Sequence, residues 1–286
     1  MLFTATHTND ASVQPSNSAG LSADVNNPST ADTALDALNV VAPISGDPKY
    51  AISARNVSRS FGPRKAVDGV SFDLPNKAFL SIFGPNGAGK TTLLKILSTL
   101  LPMTGKNGSA SIAGYDVRTQ SDELRRHIGI ISHNPLLYPD LSAEENLRFF
   151  ADLYCIPNPE QRIDELFEAV ELTHRRYDVV RGFSRGMTQR MSIARALLPS
   201  PAVIFLDEPY SGLDPHASDI LDSLIAGIRE KHTFVMVSHD LEKGLELASH
   251  ALILSRGQIV LYDETSNFEK DAFKGLYRKV VGLGVS

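Results

Sequence analysis

Gly84-Pro85-Asn86-Gly87-Ala88-Gly89-Lys90-Thr91 is the stretch on which the reading of this chain turns. It follows an apolar run, Phe79 to Phe83, that is bounded before by Pro75-Asn76, and it opens a segment, Thr91 to Leu101, that reads as a helix. The spacing fits G-x-x-x-x-G-K-[ST], the phosphate-binding loop set between a strand and a helix. Glycines let the backbone turn tightly and aim its N–H groups at phosphate oxygens. The helix N-terminus adds a partial positive charge. Lys90 is predicted to reach the β- and γ-phosphates, the Thr91 hydroxyl to ligate Mg²⁺, and Thr92 to donate to the α-phosphate. Residues Gly84 to Thr92 are therefore read as a nucleotide site.

A second motif stands downstream. Ala202-Val203-Ile204-Phe205-Leu206-Asp207-Glu208 is an apolar strand ending in two acids. A carboxylate at the end of a neighbouring strand is what such a loop needs to hold Mg²⁺, and Asp207 takes that role. Glu208 is placed to accept a proton from an attacking water. Around these two motifs, Tyr50 to Val57, Val70 to Leu74 and Thr233 to Val237 read as strands. Glu144 to Leu153 and Arg162 to Leu172 read as amphipathic helices, the second with Ile163, Leu166, Phe167 and Val170 on one face. Strands alternating with helices predict an α/β fold with a mostly parallel sheet covered on both faces.

The 286 residues carry 28 Lys+Arg and 33 Asp+Glu, a formal net charge of −5. All of the excess lies in residues 1–48, which hold Asp10, Asp24, Asp32, Asp36 and Asp47 and no lysine or arginine. That stretch is rich in Ser, Thr, Ala, Asn and Pro and is read as a disordered tail, with at most a short helix around Thr33 to Leu38. The folded part, 49–286, is charge-balanced, which argues against a nucleic-acid partner. No apolar run approaches the roughly 20 residues of a membrane span. One cysteine, Cys155, precludes an internal disulfide framework and suggests a reducing compartment. No basic residue precedes Lys49, so a secretory leader is not expected.

Between the two motifs lies Phe183-Ser184-Arg185-Gly186-Met187-Thr188-Gln189-Arg190, and after them Ser211-Gly212-Leu213-Asp214 and His239. This ordered set, over roughly Tyr50 to Tyr262, resembles the nucleotide-binding subunit of ATP-binding-cassette (ABC) transporters. The resemblance implies a P-loop NTPase with a RecA-like core, a small antiparallel β subdomain and a helical subdomain at about 135–200. It makes Gly84 to Thr91 the Walker A loop, Asp207 and Glu208 Walker B and the catalytic glutamate, and Ser211 to Asp214 the D-loop. His239 becomes the switch histidine beside the γ-phosphate, and Phe61 the aromatic that stacks on adenine. Ser184 to Met187 become the signature, with Ser184 and Gly186 facing the γ-phosphate held by an opposed cassette. ATP and Mg²⁺ follow as cofactors, a homodimer or paired cassette and a transmembrane permease as partners, and the cytoplasmic face of the membrane as the location. Local chemistry agrees: Ser184 is a plausible N-cap of a helix from Met187 to Leu198 that Pro199-Ser200-Pro201 stops.

Three positions depart from the family pattern. The usual Leu-Ser-Gly-Gly-Gln signature is here Phe183-Ser184-Arg185-Gly186-Met187, and Phe61 stands where tyrosine is commoner. His133 occupies the place of a glutamine that touches Mg²⁺ or the attacking water, a role neutral histidine fills only through a lone pair. The apolar run Ser132 to Leu141 fits a partner-facing groove and, nearly as well, simple packing of the subdomain. The Ser-Arg-Gly-Met signature, the histidine before Asn134 and the short C-terminus look most similar to haem-exporter subunits of cytochrome c maturation, with multidrug and lipid efflux cassettes, where the same features occur, as the alternative. A soluble, non-transport ABC ATPase would show two fused cassettes or a long coiled coil, and the sequence has one P-loop and no sustained heptads. An intact Glu208 argues against a sensor that binds without hydrolysing. The chain runs on to Ser286, and no separate regulatory domain is expected after Tyr262. His127, His174, His216, His232 and His250 are read as surface residues rather than haem ligands.

Overall fold

The computed structural model describes residues 41–42, 49–132 and 134–282. Most of the expected tail, including Thr33 to Leu38, lies outside the described residues, and so does His133. Of that stretch, Val41 packs against the core and the Ala42 N–H donates to the Ser200 carbonyl at 2.8 Å, so these two residues are docked.

Along the chain run β1 (Tyr50–Phe61), β2 (Arg64–Pro75), β3 (Phe79–Phe83), α1 (Lys90–Leu97), β4 (Ser109–Ile112), β5 (Tyr115–Asp116), α2 (Ser121–Leu124) and β6 (Ile128–Ile131). Three helices follow: α3 (Ala143–Leu153), α4 (Pro159–Ala169) and α5 (Arg185–Leu197). The chain then returns to the sheet with β7 (Val203–Asp207), α6 (Pro215–Ile228), β8 (Thr233–Val237), α7 (Leu241–Leu247), β9 (His250–Ser255), β10 (Gln258–Glu264) and α8 (Lys270–Gly282).

The described strands form two sheets. One is antiparallel, in the order β2-β1-β4-β5. The other runs β10-β9-β3-β8-β7-β6, parallel except for β10, which pairs antiparallel with β9 at the edge. Strands buried on both faces should read as continuous apolar runs, and β3 and β8 are buried at every position. Their side chains divide by the period of two. Leu80, Ile82, Val203, Phe205, Val235 and Val237 join α1 and the antiparallel sheet in one core, while Phe79, Ile204, Leu206, Phe234 and Met236 join α3 to α6 in another. A third, smaller cluster seats Phe273 and Val280 of α8 against Phe83, Ala251 and Ile253.

Several sequence expectations shift. β1 and β2 extend well past Val57 and before Val70, because Ser60 and Phe61 pair with Lys65 and Arg64 in a polar hairpin whose side chains carry no apolar alternation. The first core helix stops at Leu97 rather than Leu101, the helix read at Arg162 to Leu172 starts at Pro159 and ends at Ala169, and α5 starts at Arg185. The strand that ends in Asp207 is not the neighbour of β3: β8 lies between them. Of the histidines read as surface residues, His174 and His216 are exposed. His232 and His250 are buried instead, and His127 is half-buried with its ring stacked 4.7 Å from that of Tyr115. His232 is held by a 2.6 Å contact between Nδ1 and the Pro201 carbonyl.

Candidate nucleotide-binding site

The strand order builds the site. β3 delivers the Gly84–Thr91 loop at its C-terminal end, β8 delivers His239 next to it, and β7 delivers Asp207 and Glu208 one strand further on. Gly84 sits at φ +149 and Gly89 at φ +105, where L side chains are strained. Space forbids a side chain as well: a Cβ on Gly84 would lie 2.1 Å from the Leu254 carbonyl oxygen, and one on Gly89 2.1 Å from that of Ala66. The loop is thus pressed against β9 on one side and β2 on the other. The turn after β9 closes the frame, with the Gly257 N–H donating to the Ala88 carbonyl at 2.9 Å.

Helix α1 begins at Gly89 with no side-chain cap. Its first N–H groups carry the usual unsatisfied donors and partial positive charge of a helix start, which suits an anion. Lys90 is buried, and its Nζ donates to the Gly84 and Pro85 carbonyls at 2.7 and 3.1 Å. Burial pushes its pKa below the ordinary lysine value, opposed by the charges of Glu208 and Asp207. A phosphate entering the loop replaces these carbonyls with a full counter-charge.

Across 116 residues of sequence, Thr91 Oγ1 donates to Asp207 Oδ1 at 3.1 Å. A hydroxyl and a carboxylate oxygen in contact are the hard oxygen donors that Mg²⁺ prefers. Glu208 follows at φ +54, its N–H donating to the Val237 carbonyl at 3.0 Å. Its carboxylate oxygen Oε1 lies 2.5 Å from His239 Nε2. An ionised carboxylate only accepts, so toward it the histidine would donate through Nε2–H.

A cavity of about 380 Å³ joins these groups, lined by Asn86 to Thr92, Glu208 and His239, with Phe61, Arg64 and Ala66 on the opposite wall. Phe61 is 49% exposed, and the Arg59 guanidinium lies 4.9 Å from its ring centroid, so one face is occupied. Arg64 escaped the sequence reading. It stands just past the Gly62-Pro63 turn of the β1–β2 hairpin, and that turn was the available signal. Its Nη2 comes within 3.2 Å of a Cβ built on Gly87.

Ser184 and Gly186 do not line this cavity. Ser184 caps α5, its Oγ accepting from the Met187 N–H at 3.2 Å. Gly186 packs against the start of α6, where an added Cβ would meet the Ala217 Cβ at 3.2 Å. Arg185 lies over the Ser211–Asp214 turn. Its Nη2 donates to the Ser211 carbonyl at 3.1 Å, and its guanidinium would be 2.3 Å from a Cβ on Gly212, itself at φ +71. A cation at a helix start works against the macrodipole, so Arg185 is there for the turn it covers rather than for the helix. Asp214 caps α6 by accepting from the Ala217 N–H at 2.8 Å.

Residues 67–211 match the family described as ABC transporter. The linearmycin resistance ATP-binding protein LnrL of Bacillus subtilis is 32% identical over 212 residues, 73% of this chain and 68% of that protein. The daunorubicin resistance ATP-binding protein DrrA2 of Streptomyces coeruleorubidus is 33% identical over 217 residues, 75% of this chain and 67% of that one. Among solved structures, a dimeric post-hydrolysis state of an ATP-binding cassette bound to ADP and Pi superimposes with a TM-score of 0.68 at 26% identity, covering 76% of this chain and 100% of that one.

Proposed function

The chain belongs to the ABC transporter family as an ATP-binding subunit with ATPase activity, and from that premise we propose that two copies of it drive an efflux transporter by hydrolysing ATP beneath a separate membrane permease. The observation that carries this reading is the convergence of Lys90, Thr91, Glu208 and His239 on one cavity, with Asp207 Oδ1 just behind it, 3.1 Å from Thr91 Oγ1. ATP lies with its phosphates in the Gly84–Thr92 loop and its base against the free face of Phe61. Thr91 and Asp207 would hold Mg²⁺, which would supply charge neutralisation for the phosphates.

The chemistry is transfer of the γ-phosphoryl group to water. The water oxygen bonds to phosphorus, the bond to the bridging oxygen of ADP breaks, and Glu208 takes the water proton. Lys90 and the loop amides stabilise the charge that spreads over the phosphoryl oxygens. His239 holds Glu208 before ATP arrives and the γ-phosphate afterwards. Ser184 and Gly186 of one copy complete the site of the other, which explains why they lie outside the cavity of their own chain. ATP favours the closed pair by binding it more tightly than the open one.

The permease side is the groove between the sheet and the helical segment proposed as a subdomain at about 135–200. A cavity of about 730 Å³ there is lined by Leu100, Leu136, Tyr138 and Leu153, all exposed apolar side chains. Its outer loop is pinned by buried Asn146, which accepts from the Tyr138 N–H at 2.8 Å and donates to the Tyr138 carbonyl at 3.0 Å. An exposed apolar concavity of this size suits a short segment of a membrane protein. Such a groove supports a peripheral position on the cytoplasmic face of the membrane. No helix among the described residues is long and apolar enough to cross one.

The relatives named for resistance to linearmycin and daunorubicin favour a toxic small molecule as cargo. Haem export, which the resemblance also implied, draws no support from them. The test is affinity capture of the tagged full chain from detergent-solubilised membranes. The account expects a polytopic membrane protein that is lost with Leu153→Asp. Recovery of soluble partners alone would contradict it.

A further inference from the structure

The geometry points to Tyr210, Asp222 and Lys243 as a positioning brace that holds Glu208 and His239 in register from behind the site. Tyr210 follows Glu208 by two residues, and its hydroxyl donates to Asp222 Oδ1, on α6, at 2.6 Å. Lys243 Nζ donates to the other oxygen of the same carboxylate, Oδ2, at 2.7 Å, and lies 5.6 Å from the centroid of the Tyr210 ring. Lys243 belongs to the first turn of α7, whose N-cap, Asp240, directly follows His239 and accepts from the Lys243 N–H at 3.0 Å. One carboxylate on a third element therefore ties together the two segments that carry the reacting side chains.

Two features make this more than an ordinary surface ion pair. Glu208 sits in a left-handed conformation, φ +54, which a non-glycine residue keeps only where its surroundings over-determine it. The far side of α7 is fixed as well: Ser81 Oγ donates to the Gly244 carbonyl at 2.8 Å, and a Cβ on Gly244 would strike the Phe83 ring at 2.6 Å. With α7 anchored to β3, the Lys243–Asp222–Tyr210 link sets the distance from His239 to Glu208. Burial, and then the neighbouring Asp222 carboxylate, push the Tyr210 pKa far up, so the phenol stays a donor at working pH. None of the three residues lines the nucleotide cavity. Their action is through Glu208 and His239, so the inference rests on the hydrolytic roles proposed for that pair.

The experiment is steady-state hydrolysis and equilibrium ATP binding by the full chain, with thermal unfolding alongside, for Tyr210→Phe, Lys243→Met and the double variant. Misplacing a reacting pair by a fraction of an ångström should lower kcat by about 5- to 30-fold. The ATP Kd should stay within about twofold, and the double variant should be no slower than the worse single by more than about twofold, because both act through Asp222. Unchanged kcat, a Kd that weakens in step with kcat, multiplicative losses, or a lowered melting temperature with normal turnover would each overturn the brace. Glu208→Gln is measured in parallel. If it turns over normally, the premise falls and the brace with it. If it is inactive while Tyr210→Phe is unaffected, only the brace falls.

Discussion

The two glycine-bearing turns of this molecule, Gly84–Thr91 and Phe183–Met187, are built on opposite terms. The first is clamped between β2 and β9, with no room for a Cβ at Gly84 or Gly89, and its lysine is buried. The second is exposed at Ser184 and Arg185, caps its own helix through Ser184, sets Phe183 and Met187 against the helical core, and meets the start of α6 and the Ser211–Asp214 turn. One half of the proposed site is therefore built within a single chain, and the other is the half proposed to serve an opposed copy. The departures from the family pattern at Arg185 and Met187 fall in the second turn, where Arg185 covers the Ser211–Asp214 turn and Met187 packs on the helical core.

This contrast can be broken by substitution. Gly84→Ala should be the most damaging change, since the new methyl meets a backbone oxygen. We expect a loss of about 3 kcal/mol or more of stability, read by chemical denaturation, and no measurable ATP binding. Gly186→Asp should separate the two halves. It sets a carboxylate beside Asp214, whose Oδ2 is 3.7 Å from the added Cβ, at the helix start proposed to receive a phosphate. Hydrolysis should fall by about 100-fold while equilibrium ATP binding by the single chain stays within about twofold. Equal losses of binding and hydrolysis would place Gly186 inside the first half-site and end the distinction.

Lys90 sharpens the comparison through pH. Burial lowers its pKa below 10.5, so the unfolded chain binds the proton more tightly than the folded one. As pH climbs from the lowered folded value toward 10.5, the stability of the nucleotide-free fold should rise relative to Lys90→Met. ATP affinity should fall over the same window, because a neutral amine no longer attracts phosphate. Paired denaturation and binding titrations read both slopes, and parallel slopes would refute the placement. The smallest effect belongs to the second turn. Arg185→Gly and Gly212→Ala should couple by about 1 kcal/mol in a double-mutant cycle on stability, since the guanidinium occupies the space of the added methyl. ATP binding should not move in either single variant.

Much of the core was legible because the parallel strands bury both faces. Phe79 to Phe83 and Thr233 to Val237 read from sequence with the ends they have in the structure, and the Asp207 strand within one residue. The phosphate loop was legible for a similar reason, since glycine and lysine at fixed spacing answer a geometric demand. The hairpin that brings Phe61 and Arg64 to the site was not, because Ser58, Arg59 and Ser60 carry a strand with no apolar alternation. The insertion of β8 between β3 and β7 is a matter of topology, which local pattern does not encode. The burial of His232 and His250 escaped for another reason: His232 is held by the distant Pro201 carbonyl and His250 stacks on the ring of Tyr262, contacts that local pattern does not encode.

The central claim is that the exposed turn of one copy completes the finished loop of another. It is tested most directly by the molar mass of full-length Glu208→Gln in solution, by light scattering on a sizing column, with and without Mg-ATP. The account predicts a mass that doubles with ATP and stays single when Gly186→Asp is added to the same chain. A single mass at saturating ATP, or a dimer indifferent to Gly186→Asp, would contradict it.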